Sequence, residues 1–293
     1  MKKENLSSKM SLASAMVVFG TIRLFVRNID MPSSVIAFIR GSVGALFLII
    51  FCLITRKKFS FSAVKEKLLL LCLSGAAIGI NWIFLFEAYR YTTVATATLC
   101  YYMAPIFVIV MSSVIYKEKL TAKKICCTLV ALVGMVFVSG VAETGISNIE
   151  EMKGVILGVL AAVFYSSVVL MNKSLGSVPA YDKTIVQLSG AAVVVLPYCI
   201  ATVDIAQVSF DKVSLIMLAV VSVVHTGIAY TAYFGSMKNL QSQTIAIMSY
   251  IDPIVAVVLS ALVLKEKMSL LSIIGAVMIL TATFLSEVNI RKK

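Results

Sequence analysis

The sequence predicts an all-α integral membrane protein of ten transmembrane helices, built as two inverted five-helix repeats with both termini in the cytoplasm. Three observations carry this. Of 293 residues, 60% are hydrophobic and 14% charged, with a mean hydropathy of +1.00, more apolar side chains than one soluble core would hide. The apolar residues fall into about ten long runs separated by short polar segments. Finally, the stretch TATLCYYMAPIFVIVMSSVIYKEK, Thr96 to Lys119, returns as TIAIMSYIDPIVAVVLSALVLKEK, Thr244 to Lys267. The offset of 148 places Thr96 on Thr244, Tyr102 on Tyr250, Pro105 on Pro253 and Lys117-Glu118-Lys119 on Lys265-Glu266-Lys267.

Crossing a hydrocarbon core of about 30 Å takes roughly 20 helical residues. The first run, 10–26, is entered through Lys2, Lys3 and Lys9. Arg23 and Arg27 close it and no small-x-small cleavage site follows, so it reads as a span and not a signal peptide. The second, 33–55, follows Pro32, a helix-start position, and ends in Arg56-Lys57-Lys58. The third is 68–88 and the fourth, 94–116, contains Pro105. The fifth, 121–141, ends in the most polar linker of the chain, 143–153. The pattern then restarts with 154–171, 181–203, 213–236, 243–264 and 269–288, and the chain closes on Arg291-Lys292-Lys293.

Lys and Arg accumulate on the cytoplasmic side of membrane proteins. With the N-terminus inside, the loops place eighteen basic residues inside and six outside, while Arg23 and Arg40 fall within spans. The net charge of +12 is therefore read as topology and not as a nucleic-acid surface, because the basic residues sit in short clusters between apolar runs. The six cysteines show no CxxC or Cys/His ligand spacing, so neither a disulfide framework nor a metal site is expected.

Five spans per half is an odd number, so the second half crosses in the opposite sense and the two Lys-Glu-Lys clusters lie on opposite faces. Trp82 falls on Tyr230 and Phe86 on Phe234 at the same offset, with Arg40 on Gln187 one residue out of register. The predicted boundaries are residues 1–142 for the first half, 143–153 for an extracytoplasmic linker and 154–293 for the second half. Inverted repeats are a hallmark of secondary transporters, whose substrate site lies near the midplane between the halves.

The repeated span ending in Lys-Glu-Lys, the Asn81-Trp82 pair, Tyr89-Arg90-Tyr91-Thr92, the Tyr-Tyr-x-Ala-Pro run (Tyr101 to Pro105) and the Tyr-x-Asp-Pro run (Tyr250 to Pro253) resemble the EamA-type, ten-helix branch of the drug/metabolite transporter superfamily. The resemblance runs from Met10 to Ser286. It implies two inverted five-helix halves and the movement of small metabolites, often outward and often amino acids or related compounds. One departure is Arg23, which stands where that pattern leads one to expect a small residue.

Ionisable residues inside a span cost about 2.5–3.5 kcal/mol on insertion scales, so they usually face a bundle interior or a watery cavity. Asp252 lies near the middle of its span beside Pro253, which lacks an N–H and clashes with the carbonyl four residues back, so a helix kink is expected at Pro253 and at Pro105. Its repeat mate is Ala104, which makes the site asymmetric. His225, the only histidine, sits at similar depth and is a candidate proton relay or substrate contact, with a neutral histidine bonded to a helix partner as the competing reading. Glu87 is read toward the outer end with Arg23 as its ion-pair partner, and Arg40 deeper, holding either an anionic substrate group or helix carbonyls. Trp82, Tyr101, Tyr102, Tyr230 and Tyr250 supply amphipathic rings, and Asn81 and Gln187 neutral hydrogen-bonding groups, against the competing reading that such side chains only pack. Gly75, Gly79, Gly134, Gly154, Gly158 and Gly275 read as close helix contacts.

No nucleotide-binding loop of the G-x-x-x-x-G-K-[ST] type occurs, nor a Ser-centred elbow, so neither ATP-driven transport nor enzymatic activity is expected, and no cofactor is. The expectation is a multi-pass cell-membrane exporter of a small polar or amphipathic metabolite, working by alternating access, with protons as possible partners and no nucleic acid. A monomer or homodimer both suit it. The alternative is a receptor or scaffold in the membrane that carries no flux.

Overall fold

A computed structural model describes residues 2–92, 94–139, 149–204, 208, 210–263 and 269–287. The Lys265-Glu266-Lys267 cluster, most of the polar linker and Arg291-Lys292-Lys293 lie outside these. The chain runs through α1 (Lys2–Val26), α2 (Ser33–Ile54), a short α3 (Phe61–Glu66), α4 (Leu68–Tyr91), α5 (Val94–Tyr101), α6 (Ala104–Ile115) and α7 (Ala122–Ser139). It continues through α8 (Ile149–Ser174), α9 (Ala180–Thr202), α10 (Lys212–Val220), α11 (Ala229–Ser236), α12 (Ser242–Met248), α13 (Ile251–Leu262) and α14 (Leu270–Glu287). Among the described residues, 7 helical stretches are long and apolar enough to cross a membrane. Helices close every backbone hydrogen bond within one segment, which a bilayer demands. Their outward faces are apolar: Leu53 is 72% exposed, Ile200 75% and Leu69 76%.

The fourth and ninth runs are not continuous helices. α5 ends at Tyr101 and α6 starts at Ala104; α12 ends at Met248 and α13 starts at Ile251. The physical cause is the proline. Pro105 and Pro253 have no N–H to give the carbonyls of Tyr101 and Ser249 four residues back, and the chain tightens around the gap. Met103 N–H bonds Cys100 O at 3.2 Å, and Asp252 N–H bonds Ser249 O at 3.3 Å, both three residues back. The eighth run also departs from a plain helix, because Val221–Ile228 winds as a π-helix between α10 and α11. Thr226 Oγ1 donates to Val221 O five residues back at 3.0 Å.

Helix contacts come in pairs related by the 148 offset. α1 packs on α13, and α8 on α5 and α6; α2 packs on the π segment, and α9 on α4; α1 packs on α11, and α8 on α4; α7 lies along α14. Glycine makes several of these approaches possible, since van der Waals packing and not the hydrophobic effect drives helix association in lipid. A Cβ on Gly75 would lie 2.8 Å from Gln187 O, and one on Gly134 2.7 Å from Gly275 O. Cβ atoms at Gly79, Gly154 and Gly158 would also fall within 3 Å of a neighbouring helix or of Thr92. α6 ends where Lys117 takes φ 52°, a left-handed turn that sends Glu118 back toward α8.

Candidate functional site

The candidate site grows from Arg40, on α2. Its guanidinium carbon lies 4.4 Å from the centre of the Trp82 ring, and Nη2 donates to Tyr230 Oη at 3.4 Å. Trp82 and Tyr230 are repeat mates, so the cation is held between equivalent positions of the two halves. Arg40 forms no salt bridge among the described residues, and its buried Nε has no hydrogen-bond partner. Stacking on Trp82 offsets part of the lost hydration, while the unpaired N–H remains available to an anion.

From Arg40 a continuous chain of rings crosses the bundle. Trp82 meets Tyr230 edge-on at 6.5 Å, Tyr230 meets Phe19 at 5.2 Å, and Phe19 meets Tyr233 at 5.8 Å. Tyr233 stacks on Tyr165 at 6.5 Å with their hydroxyls hydrogen-bonded, and Tyr165 meets Tyr101 at 5.4 Å, beside Tyr102. The chain therefore ends at the α5/α6 break. There the hydroxyl of Tyr250, itself at the α12/α13 break, lies 3.4 Å from Tyr102 O.

Asp252 stands in the first turn of α13, just past that break, where the helix N-terminus favours a carboxylate. It is half-buried, and among the described residues no hydrogen bond or ion pair occupies its carboxylate. Behind it, Gly20 of α1 comes so close that a Cβ there would lie 2.7 Å from Asp252 O.

His225 is buried in the π segment, against Phe25, with Nε2 2.9 Å from Thr21 Oγ1. Thr21 Oγ1 also lies 2.7 Å from Val18 O, so this hydroxyl bridges its own helix and the imidazole. Among the described residues, no hydrogen bond or ion pair joins His225 to Asp252; α1 meets both, through Thr21 and Gly20.

Other predicted residues sit away from the rings. Asn81 Nδ2 donates to Ala161 O at 2.6 Å, tying α4 to α8, and Gln187 Nε2 donates to Ser74 Oγ at 2.7 Å between α9 and α4. The expected Glu87–Arg23 ion pair does not form. Glu87 pairs with Arg90 one turn on, at 2.9 Å, and accepts from Tyr198, while Arg23 is exposed. The i,i+3 spacing on one helix and the reach of Tyr198 give Glu87 nearer partners than α1 offers.

Residues 8–140 and 152–287 each match the EamA-like transporter family. The chain belongs to this family. Among relatives, the chain is 28% identical over 292 residues to the uncharacterized transporter YxxF of Bacillus subtilis (strain 168), covering 98% of this chain and 91% of that one. It is 24% identical over 212 residues to solute carrier family 35 member G1 of Mus musculus, over 69% of this chain and 57% of that one. A protein crystal structure superposes with a TM-score of 0.86 at 17% identity, covering 96% of both chains, a likeness of fold.

This EamA-like transporter holds Glu118, of the first Lys-Glu-Lys cluster, at a junction between helices. Glu118 accepts from Lys173 Nζ at the end of α8, and from the backbone N–H and hydroxyl of Ser242, at 3.2 and 3.0 Å, where α12 begins. Gln243 Nε2 adds a bond to Lys119 O at 3.3 Å. Burial pushes the Glu118 carboxyl up, but the Lys173 ammonium and the two Ser242 donors outweigh it and leave its pKa below the ordinary 4.5. Membership of the family makes this a membrane transporter; Phe19 and Tyr165, which complete the ring chain, had no sequence signal beyond being aromatics within apolar runs.

Proposed function

We propose that this chain is a secondary active exporter of a small amphipathic metabolite of amino-acid type, moved by alternating access between two inverted halves. The halves are 1–142 and 154–293, joined by 143–153, with ten spans and both termini cytoplasmic. The paired helix contacts support the inversion, as does the meeting of same-side loops: Glu118, Lys173 and Ser242 all belong to the side assigned inside by loop charge. The membrane is a multi-pass cell membrane, and the energy comes from the substrate gradient or coupled protons.

The observation that carries the reading is that Arg40 and Asp252 stand without counter-charges among the described residues, with a line of aromatic rings leading from Arg40 to the break beside Asp252. A zwitterion with an apolar body answers both. Its carboxylate would take the guanidinium N–H groups, its ammonium the Asp252 carboxylate, and its body the rings of Trp82, Tyr230, Tyr101, Tyr102 and Tyr250. When no substrate is bound, Asp252 can take a proton instead, which couples the two.

Counterflow in proteoliposomes loaded with individual aromatic and aliphatic amino acids tests it. Arg40→Gln is expected to raise KM about 10- to 100-fold, the value of a charged hydrogen bond, and Asp252→Asn to remove the pH dependence of flux. If both variants transport like the parent across pH, the assignment fails.

A further inference from the structure

A cavity of about 320 Å³ opens beside the turn between α8 and α9, lined by Gly176, Pro179, Ala180, Lys183, Gly235 and Lys238. None of these lining residues belongs to the chain of rings, and nothing in the proposed transport cycle uses the cavity. Its volume falls at the lower end of small-molecule sites, which run about 300–1,000 Å³.

The chemistry of its walls has one sign. Lys183 is 1% exposed, and among the described residues its Nζ makes a single hydrogen bond, to Phe234 O at 2.7 Å, from an ammonium with three donors. Lys238 faces the same cavity from the exposed side, its stem lying across Gly176, where a Cβ would lie 3.2 Å from Lys238 Cγ. Neither lysine pairs with a carboxylate among the described residues. The adjacent acid, Asp182, is engaged elsewhere, accepting the backbone N–H of Ser60 at 2.9 Å. The N-terminus of α9 adds to the same field, since Pro179 stands at its N-cap and no side chain caps it. Two ammonium groups facing one cavity repel each other unless an anion lies between them, and a buried ammonium without a counter-ion is expensive.

We infer that this cavity is a phosphate oxyanion site, taking either the headgroup of an anionic phospholipid or a free phosphate. Lys183 holds the oxyanion from inside and Lys238 closes over it from the surface. Basic pockets between transmembrane helices are suited to anionic headgroups, because the lysines add to the pull of an anionic leaflet and the ligand remains within reach of it. The inference stands independently of the transported substrate.

Thermal unfolding of the purified full chain tests it in two arms. In one, inorganic phosphate is titrated in detergent against chloride at matched ionic strength. In the other, nanodiscs of phosphatidylcholine are compared with nanodiscs containing phosphatidylglycerol. Stabilisation is expected in at least one arm; in the phosphatidylglycerol arm alone it identifies a lipid headgroup, and in the phosphate arm a free oxyanion. Lys238→Gln, at an exposed side chain, is expected to weaken the apparent affinity about fivefold, and Lys183→Gln by at least as much. Stabilisation in neither arm, or stabilisation that persists unchanged in Lys238→Gln, overturns the site.

Discussion

The hydroxyl of Tyr250 lies 3.4 Å from the backbone carbonyl of Tyr102, the residue that holds its own place in the other half. The two helix breaks therefore touch, each made by a proline three residues further on. The distance is at the long end for a hydrogen bond, so Tyr250→Phe should lower stability by less than about 1 kcal/mol. The breaks themselves matter more. Pro253→Ala restores an N–H that can reach Ser249 O and lets α12 run into α13 as one helix, carrying Asp252 off its present line. The expected result is unchanged or higher thermal stability with transport reduced on the order of tenfold or more. A Pro253→Ala protein that transports normally would show that the break is incidental.

Gly20 sets the fit of α1 against α13. A Cβ there would lie 2.6 Å from Val255 Cβ and 2.7 Å from Asp252 O, and a backbone oxygen cannot step aside as a flexible side chain can. Gly20→Ala should therefore destabilise by about 1–3 kcal/mol, as overpacking does. Gly41→Ala is the control, because its nearest contacts are 3.5 Å from Leu188 O and Trp82 Cζ3, ordinary packing distance. A thermal melt of both variants in the same detergent decides: equal midpoints would refute the close contact.

Glu118 predicts an acid limb. A carboxyl whose pKa is lowered by folding adds stability above its ordinary value of 4.5 and loses it as pH falls through the lower folded value. The parent should therefore hold its stability from neutral pH down to about 4.5 and lose it below. Glu118→Gln keeps the shape but not the charge, leaves Lys173 without its partner, and should melt lower at pH 7 by the value of a charged hydrogen bond, about 1.5–3 kcal/mol. Its acid limb should be shallower than the parent's. Identical melting curves against pH would remove Glu118 from the junction of α6, α8 and α12.

Much of the architecture was legible because it rests on local chemistry. Apolar runs mark helices, and Pro105 and Pro253 break theirs for a reason contained in the residue itself. What was not legible depends on contacts across the chain. Arg40 was readable as a costly charge, but its hold on Tyr230 spans 190 residues, and that of Glu118 on Ser242 spans 124. Glu118 read only as part of a helix end because its partners lie in other elements. Phe19 and Tyr165 were lost among many apolar neighbours, where an aromatic in a ring chain looks like any other packing residue. The π segment has no local marker in Val221–Ile228 at all; it packs against α2, where Gly44 and Gly227 let the backbones approach.

His225 and Thr21 supply the last prediction. Nε2 and the Thr21 hydroxyl share a hydrogen bond, so losing that hydroxyl leaves a buried ring nitrogen without its partner, at about 1–3 kcal/mol. Thr21→Val, which keeps shape but not the oxygen, should melt lower by that amount, while Thr21→Ser should stay within about 0.5 kcal/mol of the parent. The same pair separates structure from proton handling. If His225 serves only to bind α1 to the π segment, Thr21→Val and His225→Gln should lower stability and leave the pH profile of flux in place, set by Asp252 alone. A profile that moves in Thr21→Val would instead give His225 a share in proton transfer, since Thr21 acts on the flux only through the imidazole it fixes.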